Sequence, residues 1–337
     1  MRAMCRIAVL CRAGKQGALV ARRAELTAAI GCICALQGRA ASVDLTARRD
    51  DGSVIHWSVD RQGERPKQGI FVLAQGSGCL ATTKNPNLER AKRLLPLFAV
   101  VMVEKYGVRA GDAPKDPFGA CSESSYARHT VSQRVADYQS VLAQVEALPW
   151  WDGRLVLFGG SEGGAAVSML APRVGPTAVV VFSTAPGRSF RETFKSAVPP
   201  QVAAQADSEF ARIKADPLSS KVWGGNSYRW WADILDHDLT ADLLAVRAPI
   251  LLVHGERDQS APVRVARMVR DDFHRAGRCN LTYWELAGHD HQMQDAAGAS
   301  HIDEVMERIA GWLAEKVSTR PKADDCRSPD PACPVSR

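Results

Sequence analysis

Three stretches of this chain are apolar at every position: Phe71-Val72-Leu73, Ala178-Val179-Val180-Val181 and Ile250-Leu251-Leu252-Val253. A strand with one wet face alternates, so a strand without alternation must be covered on both faces. Strand-like character spans residues 54–59, 70–74, 98–104, 155–158, 178–182, 250–254 and 281–285. Helical spacing falls between and after them: Val135, Tyr138, Leu142, Val145 and Leu148, then Ile302, Val305, Ile309 and Leu313. Strands alternating with helices predict an α/β fold built on a doubly wound, mostly parallel sheet. Residues 188–246 break the alternation with Pro199-Pro200, Trp223, Trp230 and Trp231. That segment is expected to be a helical, cap-like insertion over one sheet edge, where such insertions cover the ligand crevice. Residues 318–337 are polar and Pro-rich, as a flexible tail would be.

The chain has 337 residues, 46% of them hydrophobic and 24% charged, which excludes a disordered, collagenous or coiled-coil protein. Its longest uncharged apolar runs, residues 26–36 and 94–103, fall short of the roughly 20 residues a membrane span needs. No stable membrane span is expected. The net charge of +6 resides in residues 1–50, where nine Lys and Arg face only Glu25, Asp44 and Asp50. The body is neutral and has no basic stripe to track phosphates, so nucleic acid is set aside as a partner.

Arg22-Arg23 precedes the apolar residues 26–36, and Gly38-Arg39-Ala40-Ala41 follows. A basic region, a short apolar core and small residues in sequence are the layout of a secretory signal peptide. Residues 1–40 are therefore read as a leader and the protein as exported, periplasmic or secreted. The basic region is long and Glu25 sits at the mouth of the apolar core, which an upstream mis-called start would explain. The alternatives are a buried N-terminal helix, with the protein then cytoplasmic, or a lipid-modified Cys32. Four of the nine cysteines lie in this leader, and none of the others has the C-x-x-C spacing of a zinc site. In an exported protein Cys326 with Cys333 and Cys79 with Cys121 are the expected disulfides, Cys279 being the remaining cysteine.

Gly159-Gly160-Ser161-Glu162-Gly163-Gly164 directly follows the strand-like Leu155-Val156-Leu157-Phe158. Its G-x-S-x-G core sits where a strand turns sharply into a helix, as a nucleophile elbow requires. Side chains two residues either side of such a serine would clash, hence the glycines. A phosphate-cradling loop does not fit, because Gly-Lys-Ser/Thr is missing and Glu162 would repel an anion. A serine hydroxyl needs a base, and the base an orienting acid. Gly255-Glu256-Arg257-Asp258 ends one later strand, and Gly288-His289-Asp290-His291 ends the next. The order Ser161, Asp258, histidine matches the order of a Ser-Asp-His set on such a sheet. His291 is the expected base, with His289 as the alternate. One oxyanion donor should be the amide of Glu162. The other should come from Gln75-Gly76-Ser77-Gly78-Cys79, with Ser77 and Gly78 the expected donors.

On these motifs, residues 43 to 317 resemble the α/β-hydrolase superfamily, in the manner of its dienelactone-hydrolase and prolyl-oligopeptidase-like branch. The resemblance implies a serine nucleophile acting without cofactor on esters, thioesters or peptides. The chain departs from that branch in having Gln75-Gly76 where the branch usually has His-Gly. His254-Gly255 reads as scaffolding for the acid loop. His289 and His291 could also pass for two metal ligands, but no third ligand has matching spacing, so no metal is expected. The favoured reading is an exported carboxylic-ester hydrolase acting on a small acyl substrate, with Trp223, Trp230 and Trp231 in the substrate site. The alternatives are a serine peptidase or thioesterase of the same fold, or a binding protein that keeps the fold without the chemistry.

Overall fold

The computed structural model describes residues 43–62 and 65–318. The leader, the tail beyond Ser318 and the Cys326–Cys333 pair lie outside the described residues. Eight strands form the main sheet: β1 Val43–Arg48, β2 Val54–Arg61, β3 Gln68–Ala74, β4 Ala99–Val103, β5 Trp151–Gly160, β6 Ala178–Phe182, β7 Ile250–Gly255 and β8 Leu281–Leu286. Their order across the sheet is β1-β2-β4-β3-β5-β6-β7-β8. Only β2 runs against its neighbours, pairing antiparallel with both β1 and β4; every other pairing is parallel.

Side chains alternate across a strand, and this sheet uses both faces. Ile70, Val72, Leu157, Val179, Val181 and Leu252 pack against the helices Val131–Val145 and Glu162–Val174. Phe71, Leu73, Val156, Val180, Leu251 and Val253 face the other way, onto Ile309, Trp312 and Leu313 of the helix Ile302–Ser318. Two covers explain why the stretches 71–73, 178–182 and 250–253 are apolar at every position. The doubly wound α/β architecture expected from the apolar runs is what the chain forms. One strand is additional: β1 alternates half-buried and exposed residues, being an edge strand covered on one side.

Between β6 and β7 come the helices Phe190–Ala197, Pro200–Ala215, Tyr228–Ile234 and Leu239–Ala245, with a short antiparallel ribbon of Val222–Trp223 and Asn226–Ser227. Among the described residues no helix is long and apolar enough to cross a membrane.

Cys79 and Cys121 are joined in a disulfide with their Cα atoms 5.6 Å apart. The bridge closes a segment with a sequence separation of 42, and loop-closure entropy assigns such a link about 4 kcal/mol at most. The double variant Cys79→Ser, Cys121→Ser should lose about 2–4 kcal/mol in denaturant unfolding. An unchanged unfolding midpoint would show that the link does not restrict the unfolded chain.

Candidate active site

The parallel strands end at one edge, and the loops leaving that edge carry Ser77, Gly78, Ser161, Asp258, His289 and His291. β5 delivers Ser161, which takes φ 53° and ψ −123° before the helix Glu162–Val174 begins. A non-glycine residue at positive φ costs on the order of 1–3 kcal/mol unless its surroundings fix it. Here the Ser161 amide donates to Phe182 O at 2.9 Å, and the Thr184 hydroxyl donates to Ser161 O at 2.9 Å. The turn also needs its glycines. A Cβ on Gly159 would overlap the Gly163 carbonyl, and one on Gly163 would overlap the Ala74 carbonyl at the end of β3. Gly164 is equally constrained, by the Thr184 hydroxyl, a contact that the motif alone did not reveal.

Asp258 follows β7 and is buried. Its Oδ1 accepts from the amides of Ser260 at 2.9 Å and Ala261 at 2.8 Å. Its Oδ2 lies 2.8 Å from His291 Nδ1 in the loop after β8. A carboxylate accepts, so Nδ1 carries the proton and Nε2 keeps its lone pair. His289 is turned elsewhere: its Nδ1 donates to the Ala287 carbonyl at 2.7 Å and its ring lies 5.0 Å from that of His301. His254 is fully buried, and burial lowers its pKa; as a neutral ring it donates from Nε2 to Ala261 O at 2.5 Å, bracing the Asp258 turn. Among the described residues Ser161 Oγ makes no hydrogen bond to His291.

The loop after β3 runs beside Ser161, with a Cβ on Gly76 placed 3.4 Å from Ser161 Cβ. Among the described residues nothing accepts from the amides of Ser77, Gly78 or Glu162. Unused donors beside a serine are what a developing alkoxide would require. Ser77, Ser161 and Glu162 border a cavity of about 290 Å³ whose wall includes the aromatic Phe190, Phe194, Trp230 and Trp231. A second cavity of about 200 Å³ shares Ser77, Glu162, Asn226 and Trp230 and adds Ser125, Tyr126 and His129. Trp223 stands behind Trp231, their rings 4.9 Å apart and its carbonyl accepting the Trp231 indole N–H at 2.8 Å.

The Glu162 side chain is the feature that motif reading missed. It is buried, and its Oε1 meets Arg134 Nη1 at 2.8 Å, Lys105 Nζ at 2.9 Å and His129 Nε2 at 3.3 Å. Burial alone would raise this carboxyl, but Lys105, His129 and Arg134 outweigh it and hold it well below the usual carboxylate range. His129, in contrast, is pushed down by burial and stays neutral at pH 7. The available signal was Glu104-Lys105, two charges directly after the wholly apolar β4.

No protein-family model and no curated protein sequence matches this chain. Solved structures do resemble it. Est1E from Butyrivibrio proteoclasticus is 13% identical, with a TM-score of 0.56 over 82% of this chain and 99% of its own. An esterase, EaEST, from Exiguobacterium antarcticum is 16% identical, with a TM-score of 0.53 over 82% of this chain and 100% of its own. The Pyrococcus furiosus esterase Pf2001 is 10% identical, with a TM-score of 0.56 over 83% of this chain and 91% of its own. At such identities the likeness is one of fold. With the strand order and the elbow after β5, it identifies this chain as having the α/β-hydrolase fold.

Proposed function

We propose that this chain is an exported serine hydrolase that cleaves a carboxylic ester or a related acyl bond through an acyl-enzyme. The observation that carries the reading is the hydrogen bond from His291 to buried Asp258, at the sheet edge that also bears the strained Ser161 turn. In the proposed reaction His291 Nε2 takes the Ser161 proton as Oγ attacks the acyl carbon, while Asp258 holds the ring and stabilises the imidazolium. The Glu162 amide and an amide of Ser77 or Gly78 donate to the resulting oxyanion. The intermediate then collapses, and His291 passes its proton to the departing alcohol. Water, deprotonated by the same ring, attacks the acyl-Ser161 ester, and as that intermediate breaks its bond to Oγ and releases the acid, His291 returns the proton to Ser161. Every step uses residues of this chain, with no cofactor or metal.

Residues 188–246 are read as the cap, and its aromatic wall suits an apolar or aromatic group on the substrate. Export is supported by the Cys79–Cys121 disulfide, since such bonds persist in oxidising compartments.

A panel of p-nitrophenyl esters of graded acyl length, run beside aminoacyl-arylamides, tests the reaction class. Esters should turn over and arylamides should not. Cleavage of arylamides alone would favour a peptidase. The same panel tests the cap. Trp230 is buried against Phe190 and Trp231 and lines both cavities, so Trp230→Phe should keep the fold while enlarging the site. It should shift the ratio of kcat/KM for long over short acyl chains by about 10-fold, the scale of one or two methylenes in an apolar pocket. A lower Tm with an unchanged ratio would make Trp230 a core residue only.

A further inference from the structure

Lys105 is an ammonium with a side chain only 1% exposed, and the reaction above gives it no part. It leaves the end of β4, the strand beside β3, and so reaches the underside of the loop that follows β3. Its Nζ donates to Gly76 O at 2.6 Å and to Gly78 O at 2.8 Å, as well as to Glu162. Arg134 completes the arrangement, donating from Nη2 to Gln75 O at 2.9 Å. Two buried cations thus hold three carbonyls of one short loop, those of Gln75, Gly76 and Gly78.

In a trans peptide the carbonyl and the following N–H point in opposite directions, and the described chain has no cis peptide bond. A cation fixed on Gly76 O therefore fixes the Ser77 N–H on the opposite side of that peptide, and Ser77 borders the cavity that Ser161 also lines. The Gly78 carbonyl is held likewise, but the N–H of that peptide belongs to Cys79 and is already donated to Pro117 O at 2.8 Å. We propose that Lys105 is a positioning residue for the oxyanion hole, pinning the Gly76–Ser77 peptide so that the Ser77 amide donates to the reacting oxygen. The proposal rests on the serine-hydrolase reading and adds a residue to it. A positive charge on the carbonyl also polarises the peptide and strengthens its N–H as a donor. Glu162 is the necessary counterpart. Its carboxylate cancels one of the two cations, and without Lys105 and Arg134 it would repel the oxyanion beside its own amide.

The distinction from a merely structural role lies in which kinetic constant moves. Lys105→Met keeps the length of the stem and removes the charge and all three donated contacts, to Gly76 O, Gly78 O and Glu162. It should lower kcat about 10- to 100-fold, somewhat less than deleting an oxyanion donor outright, with KM within about twofold of wild type. Affinity for a trifluoromethyl ketone, which forms a tetrahedral oxyanion with the serine, should fall in parallel with kcat/KM. An unchanged kcat, or a loss confined to KM, overturns the proposal.

If Lys105→Met does not fold, the wild-type enzyme carries the test. Burial pushes the Lys105 ammonium down to about 8, against the opposing pull of Glu162; Arg134 also lowers it and Glu104 raises it. His129 faces the same carboxylate but is neutral above pH 7. As pH rises past that value the charge behind Gly76 is lost, so kcat should decline above about pH 8 while KM stays flat. A level kcat up to pH 10 would overturn the role. Fluorophosphonate labelling of wild type separates the two failures. If Ser161 labels and the Lys105 readouts do not move, only this proposal falls; if wild type does not label, the hydrolase reading falls and takes this with it.

Discussion

Replacing Ser161 with alanine should lower kcat by a factor of about 10⁵ or more, with the protein still folded. The size follows from the chemistry: without Oγ there is no acyl-enzyme, and only the oxyanion donors and the binding cavity remain. Folding should survive because alanine meets the same backbone demand as serine at φ 53°, and the bonds that hold the turn involve the Ser161 backbone. Far-UV circular dichroism and Tm should match wild type. Turnover within tenfold of wild type, on protein shown free of contaminating esterase, would remove Ser161 from the reaction.

The second large effect separates two histidines two residues apart. His291→Ala should abolish acylation, reducing kcat by at least about 10⁴, whereas His289→Ala should stay within a few-fold of wild type. The reason is geometric. One imidazole must hydrogen-bond the acid with one nitrogen and serve the nucleophile with the other, and it is His291 Nδ1 that lies 2.8 Å from Asp258. His289 spends its Nδ1 on the Ala287 carbonyl and sits against His301. The comparison is best made by the rate of acyl burst on a p-nitrophenyl ester. A surviving burst in His291→Ala with loss in His289→Ala would move the base to His289 and leave the rest of the mechanism intact.

Much of this site could be read from the chain because its chemistry is local. The turn at Ser161 needs glycine at 159 and 163 for contacts within a few residues or with the neighbouring strand end, so the need is written as a motif. Asp258 and His291 each follow a strand that is itself legible, and parallel strands deliver their loops to one edge. What could not be read depends on distant neighbours. Glu104-Lys105 after β4 becomes informative only once β4 lies beside β3 and the helix bearing Arg134 packs near both. Nothing in the spacing of residues 75, 105, 134 and 162 announces that meeting. Choosing between His289 and His291 likewise depends on the path of one loop, in which Met293 takes a positive φ and is fully buried. β1 is missed by a reading that starts from strands apolar at every position, although Val43, Leu45 and Ala47 alternate with Asp44, Thr46 and Arg48, the pattern of a strand with one wet face.

Reaction of the wild-type protein with a fluorophosphonate, followed by peptide mapping in a mass spectrometer, tests the central claim most directly. The reagent reports an activated serine beside oxyanion donors, whatever the natural substrate is. The account predicts a single adduct, on the peptide carrying Ser161, that is absent in Ser161→Ala. No adduct on the folded wild-type protein, or an adduct on another serine such as Ser77 or Ser183, would contradict it.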